Sequence, residues 1–205
     1  MKPLKPGKRK RCKQCKTLFV PSRTLQAVCT PACGILWASS TEARGHAIKS
    51  RRAAHRADKE RIKTSKELKH EAQTAFNAYI RLRDAKLPCV SCLRHDAEIP
   101  DQYTGGKWDA GHFKSVGAYP GLRFEPHNCW KQCKHCNQLD DGKVREGYRT
   151  ELINRIGPEL VEWLESPHEP KRYRADDFRK IRDTYREKTR KLKKQREQTS
   201  ESEPG

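Results

Sequence analysis

The sequence predicts a mostly helical α+β chain in which a small, cysteine-stapled centre is flanked by long charged helices. Three observations carry this. Of 205 residues only 34% are hydrophobic while 35% are charged, so much of the chain cannot be core. Two Cys-x-x-Cys knuckles, Cys89/Cys92 and Cys133/Cys136, can together give four thiolates to one tetrahedral zinc. Outside them lie stretches dominated by Ala, Arg, Lys and Glu, all favourable in helices except for their shortage of apolar residues.

The net charge of +19 is unevenly placed. Residues 1–88 hold 22 Lys/Arg against 6 Asp/Glu, and residues 89–205 hold 23 against 20. Such a basic arm is the electrostatic footprint of a nucleic-acid partner, the bland alternative being a solvated, self-repelling helix. Nine cysteines is an odd number, and no apolar signal segment follows Met1. Nor does the sequence contain a run of about 18 apolar residues, so no membrane partner is expected. A reducing cytoplasm fits best, and there paired knuckles are metal sites more often than disulfides.

Four segments are expected in order. Residues 1–38 comprise a basic tail, MKPLKPGKRKR, and a second knuckle pair, Cys12/Cys15 with Cys29/Cys33, that forms a candidate zinc site. Leu18, Phe19, Val28 and Trp37 are the bulky apolar residues near it, so this unit needs its metal to fold. Residues 39–71 read as a basic helical linker, opened by a Ser39/Glu42 capping box and lacking a core face over 43–71. Residues 72–166 form the central unit. Ala72, Ala75, Phe76, Tyr79, Ile80 and Leu87 give it an apolar helical stripe stopped by Pro88. A loop with Pro100, Gly105 and Gly106 follows, then a short strand at 107–113 and a turn at 117–121. After DDGK a helix carries Tyr148, Leu152, Ile153 and Ile156, with Gly157 as its stop and Pro158 opening the next. Residues 167–205 hold a last charged helix over 175–197, with Phe178, Ile181, Tyr185 and Leu192 on one side, and a disordered QTSESEPG tail.

Between the central knuckles the residue types suit phosphodiester hydrolysis, which needs a deprotonated water and a cation to stabilise charge on the phosphate and the leaving oxygen. His112 can supply the general base. The Asp109 carboxylate and the Asn137 carbonyl suit a hard ion, magnesium or in its place manganese, separate from the structural zinc. Asn128 is placed to pin the loop carrying His112 by side-chain bonds to backbone. Lys114, Arg123 and Lys131 are candidate phosphate contacts, His127 and His135 reserves, and Cys129 a small buried residue.

The knuckle, the WDAGHF strand, Asn128 and CKHCN together resemble the HNH or ββα-metal endonucleases, in particular the zinc-containing branch with the phage endonuclease VII resolvases. RCKQCK, AFNAYIRLRD, LPCVSC, LRFEPHN, KQCKHCNQ and YRTELINRIG extend the likeness to the NinG/Rap family of lambdoid phages, in order from Cys12 to Tyr185. The resemblance implies a zinc-stabilised HNH-like core with His112 and Asn128 in catalysis. It also implies a recombination endonuclease acting on Holliday junctions and displacement loops beside other phage recombination proteins in the host cytoplasm.

One departure stands out. In the usual pattern the metal-binding residue directly precedes the base His, whereas Ala110 and Gly111 separate Asp109 from His112; a bulge at Gly111 would bring both groups to one side. Without it, Asp109 is structural or the ion uses Asn137 with another group. The competing readings are a non-catalytic zinc module that binds nucleic acid and a translation-related RNA binder, the latter leaving His112 and Asn137 unexplained. Symmetric cutting of a four-way junction calls for a homodimer, with residues 175–197 or the middle helix as the candidate contact.

Overall fold

Local caps decide where the helices begin and end. The computed structural model describes residues 8–101, 106–139 and 141–201. The first seven residues of the expected basic tail, residues 102–105 of the expected loop, Asp140 of DDGK and the last four residues of the expected disordered tail therefore lie outside the description. The chain divides between Lys63 and Thr64 into two compact units. It is mostly helical, with two small antiparallel sheets among the described residues.

In the first unit β1 (Lys10–Arg11) pairs with β2 (Leu18–Phe19), and α1 (Pro31–Ser39) and α2 (Thr41–Arg61) follow. Thr30 caps α1 by accepting from the Cys33 N–H, and Pro31 fills the first turn where no amide is needed. Ser39, expected to cap α2, is instead the last residue of α1, its hydroxyl donating to the Ile35 and Leu36 carbonyls at 3.3 and 3.0 Å. α1 buries no residue, and Leu18, Val20, Ile35 and Leu36 are exposed, which leaves Cys12 as the buried hydrophobic residue described in this unit.

The helix expected over 43–71 is two helices. Thr64 starts α3 (Ser65–Arg83) with a full capping box: its hydroxyl accepts from the Glu67 N–H and its own N–H donates to the Glu67 carboxylate at 2.8 Å. Leu68, Ala72, Ala75, Phe76 and Ile80 form the buried stripe, while Leu87 falls beyond the helix and stays exposed. This stripe packs on Phe178 and Tyr185 of α7 (Ala175–Glu201) with Phe124 and Cys129. Contacts advance together along both helices, Glu71 with Arg182, Phe76 with Tyr185 and Tyr79 with Lys188, so α3 and α7 run parallel. The last helix continues to Glu201, so the first part of the expected disordered tail is helical.

A second core gathers Val90, Leu122, Trp130, Tyr148, Leu152, Val161 and Leu164 against α5 (Gly142–Ile156) and α6 (Pro158–Glu165). Asp141 caps α5 by accepting from the Val144 N–H at 2.8 Å, and Gly157, at φ 82°, ends it just before Pro158 opens α6, as the sequence predicts. Between the cores lie β3 (Trp108–His112), β4 (Cys129–Cys133) and the short α4 (Lys134–Leu139).

The strand β4 has no open edge. Its inner edge pairs with β3, and its outer groups each find another partner. The Cys129 carbonyl accepts from Arg83 at 2.9 Å, the Lys131 N–H donates to Asp84 at 3.0 Å, the Lys131 carbonyl accepts from Val90 at 3.1 Å, and the Cys133 N–H reaches the Cys89 sulfur at 3.3 Å. Arg83 and Asp84 also pair with each other at 2.6 and 2.8 Å, with Asp84 1% exposed. Replacing Asp84 with Ala strands the Arg83 guanidinium and the Lys131 amide, so denaturant titration of the zinc-loaded protein should show a loss of about 3–5 kcal/mol.

Candidate functional site

The described residues hold two four-cysteine clusters. In each, the four sulfurs lie within 4.8 Å of one another. A zinc tetrahedron with Zn–S near 2.3 Å has sulfur edges of about 3.8 Å. The contacts Cys92 to Cys133 at 3.9 Å, Cys15 to Cys29 at 3.5 Å and Cys29 to Cys33 at 3.6 Å suit that geometry. Cys89, Cys92, Cys133 and Cys136 come from the loop after α3, the end of β4 and the start of α4. A thiol hydrogen bond from Cys133 pulls Cys89 down to about 4 against the effect of burial, and the same contact, with burial, pushes Cys133 up. Charge thus settles on one sulfur at the cost of its neighbours, and a cation is what lets all four ionise. In the first unit burial raises Cys12, but backbone hydrogen bonds from Cys15, Cys29 and Gln14 bring it to about 6, while its neighbours raise Cys29 to about 12. Both donor sets fit zinc.

The β3–β4 ladder is regular: Trp108, Asp109, Ala110, Gly111 and His112 face Cys133, Gln132, Lys131, Trp130 and Cys129 one to one. No bulge forms at Gly111. Alternation then sends Asp109 and Gly111 to one face and Ala110 and His112 to the other. The contacts agree: Asn137 of α4 donates to Asp109 at 3.1 Å, whereas His112 stacks on Phe76 of α3 with ring centroids 6.0 Å apart. Gly111 serves a close approach instead, because a Cβ there would overlap the Gln132 side chain. Gly147 does the same for α5, where a Cβ would strike the Ser91 carbonyl within the Cys89/Cys92 knuckle.

Asp109 and Asn137 therefore meet as a pair, with His112 at the strand's end. The His112 Nε2 lies 3.0 Å from the Arg123 carbonyl, which as an acceptor fixes the Nε2–H tautomer and leaves Nδ1 with a lone pair. That Nδ1 is 3.8 Å from the Cys129 sulfur. Burial holds the His112 imidazole below its ordinary range and pushes the Cys129 thiol up. Asn128 is fully buried and spends its amide on backbone: Nδ2 donates to the Lys114 and Leu122 carbonyls at 3.0 and 3.1 Å, and Oδ1 accepts from the Lys114 N–H at 2.8 Å. It pins the loop after His112 without touching the cleft.

A cavity of about 570 Å³ opens beside these residues, bordered by His112, Lys114, Ser115, Asn137 and Arg145 among others. Of the expected phosphate contacts, Lys114 borders it, its ammonium over the Phe113 and Tyr119 rings at 5.6 and 5.0 Å. Arg123 is half-buried and donates to Gln73 at 3.0 Å. Lys131 is a correction: it is 4% exposed, with its ammonium on the Ala85 carbonyl at 3.0 Å and over the Trp108 ring, so it braces the sheet rather than meeting a polyanion. Of the reserves, His127 pairs with Glu125 at 2.8 Å and His135 is exposed on α4. The sequence reading missed Arg145 on the cavity wall and Tyr148, whose buried hydroxyl donates to the Gly111 carbonyl at 2.9 Å. Tyr148 had registered there only as an apolar helix position.

Against known proteins, the family model described as Bacteriophage Lambda NinG protein matches residues 4–197. Similar proteins include the protein ninG of Escherichia phage 933W, 38% identical over 214 residues covering 96% of this chain and 99% of that one. The protein ninG of Escherichia phage lambda is 36% identical, covering 96% and 98% of the two chains. That of Salmonella phage P22 is 35% identical, covering 94% and 98%. No solved structure matches.

Proposed function

The chain belongs to the NinG family of bacteriophage proteins, and from that premise we propose that it is a metal-dependent endonuclease. Its substrate is branched DNA, Holliday junctions and displacement loops among them, and it acts in the host cytoplasm during phage recombination. The observation that carries this reading is the strand, loop, strand and helix unit in which Asp109 and Asn137 meet at 3.1 Å, next to a cavity bordered by His112 and Asn137. Among the described residues no helix is long and apolar enough to cross a membrane.

Each residue has a distinct task. Asp109 and, with its amide turned, the Asn137 carbonyl offer two oxygens to a hard cation. Magnesium or manganese, when bound, supplies the positive charge that phosphodiester hydrolysis requires. His112, its Nε2–H held by the Arg123 carbonyl, takes a proton from water at Nδ1. Lys114 at the cavity edge holds the phosphate, and Asn128 keeps its loop in register. The Cys89/Cys92/Cys133/Cys136 zinc ties β4 and α4 to the loop after α3, which fixes Asn137 relative to β3. Two copies serve a four-way junction, one for each strand cut.

A second reading has one observation in its favour. The unbulged β3 sends Asp109 and His112 to opposite faces, and that arrangement suits a non-catalytic zinc module that binds nucleic acid. A synthetic four-way junction separates the two. The zinc-loaded protein should cut it with added magnesium or manganese and only bind it without; binding with no cleavage under either condition would favour the accessory module.

The basic arm gives a further expectation. Residues 1–63 hold 17 Lys/Arg against 3 Asp/Glu. Removing this unit should weaken binding to every DNA and flatten the salt dependence, while junction preference persists in the remainder. Filter binding across a salt series checks this, and an unchanged slope would make the arm a solvated spacer.

A further inference from the structure

The two halves of α7 differ in a way the cleft does not use. From Ala175 to Tyr185 there are three basic and three acidic residues, and the pairs are made: Arg179 with Asp176 at 2.9 Å, Arg182 with Glu71 and Asp183 at 2.8 Å. From Arg186 to Glu197 there are seven basic residues against two acidic ones. Lys191 pairs with Glu187 at 2.8 Å, and Lys188 lies over the Tyr79 and Tyr185 rings. Among the described residues no carboxylate lies within ion-pair distance of Arg186, Arg190, Lys193 or Lys194. These four fall on about 100° of the helix surface, turned away from the buried Phe178 and Tyr185. Arg186 and Arg190 also line an open groove against His70 and Thr74 of α3.

We propose that this basic face of α7 is a second nucleic-acid contact, taking the sugar-phosphate backbone of a DNA arm. A helix whose other side is locked into a core holds its cations at fixed spacing, so they pay less ordering entropy than cations on a mobile tail. Arg186 to Lys194 spans about 12 Å, over which a duplex presents about seven phosphate charges. The face binds by charge and carries no base readout. A dimer seam is the competing use of the helix, but four like charges on one stripe oppose the approach of an identical stripe and attract a polyanion. The inference rests on the nucleic-acid part of the reading above and not on cleavage.

The test measures binding of the full-length, zinc-loaded protein to a labelled four-way junction and to a linear duplex, without magnesium, across a salt series. Arg186→Gln/Arg190→Gln/Lys193→Gln should make the slope of log affinity against log salt shallower by about 2–3 on both DNAs. The charge-keeping variant Arg186→Lys/Arg190→Lys/Lys193→Arg should restore it. A control that removes the same charge at Arg172, Arg174 and Lys180 should leave the slope in place. The proposal is overturned if the first variant keeps the parental slope, if the control loses as much, or if sedimentation shows that the first variant has lost a dimer the parent forms. Because cleavage is not read, a parent that never cuts would remove the endonuclease reading and leave this result standing.

Discussion

Replacing Cys133 with Ser should remove one zinc per chain and lower the thermal midpoint of the second unit by about 8–16 °C. Structural zinc contributes about 10–16 kcal/mol to the folding of small zinc domains. This unit has two further cores, around Phe76 and around Leu152, so only part of that is at stake. A loss of about 4 kcal/mol at about 2–4 °C per kcal/mol gives the range stated. Cys133 is fully buried, ends β4, and its amide already bonds the Cys89 sulfur, while Ile99, Trp108 and Val144 pack against the cysteines. The serine leaves three thiols, one ligand short of the four that a structural zinc takes. Cys129→Ser is the control: four residues back on the same strand, equally buried and outside the four-sulfur cluster, it should keep the full zinc content. Elemental analysis and calorimetry together check this, and a Cys133→Ser protein with parental zinc and parental melting would refute it.

What the sequence made legible was the part written in spacing. Both cysteine clusters, the helix that DDGK leads into, the Gly157–Pro158 junction and the apolar side of α7 follow from local pattern alone. The T-x-x-E box at Thr64 was just as local, but strong helix formers on both sides hid it. The strand Cys129–Cys133 lacks alternation because all five residues are buried, so period two is invisible there. Nothing local marks Arg83 and Asp84 for a role, because their use depends on β4, more than 40 residues later in the chain. Lys131 failed for the converse reason: a cation says nothing of its own burial until Trp108 and Ala85 are placed beside it. At the candidate site, residue type announced His112, Asp109 and Asn137, but which strand face each takes required the register.

His112 carries the sharpest test of the endonuclease reading. If it is the general base, His112→Ala should slow junction cleavage by about 100-fold to 10,000-fold with binding nearly intact, a barrier increase of about 3–5 kcal/mol. Because the ring stacks on Phe76, His112→Gln is the companion variant that fills most of the same space while lacking a comparable base. The pH profile adds a second readout. Burial holds the imidazole below its ordinary value, so the neutral, proton-accepting form persists through the neutral range. Cleavage should therefore fall only as pH drops through that depressed value, placing the acid limb below about 6.5, and the limb should vanish in His112→Gln. Asn137→Ala should also cut slowly, but with partial recovery at high magnesium, since its amide faces Asp109 and its loss weakens the hold on an ion rather than the acceptance of a proton. Extra magnesium should do nothing for His112→Ala. Parental cleavage by His112→Gln, purified free of host nuclease, would make the imidazole a packing residue and leave the base to another group; loss of zinc and of folding in both variants would make it part of the scaffold.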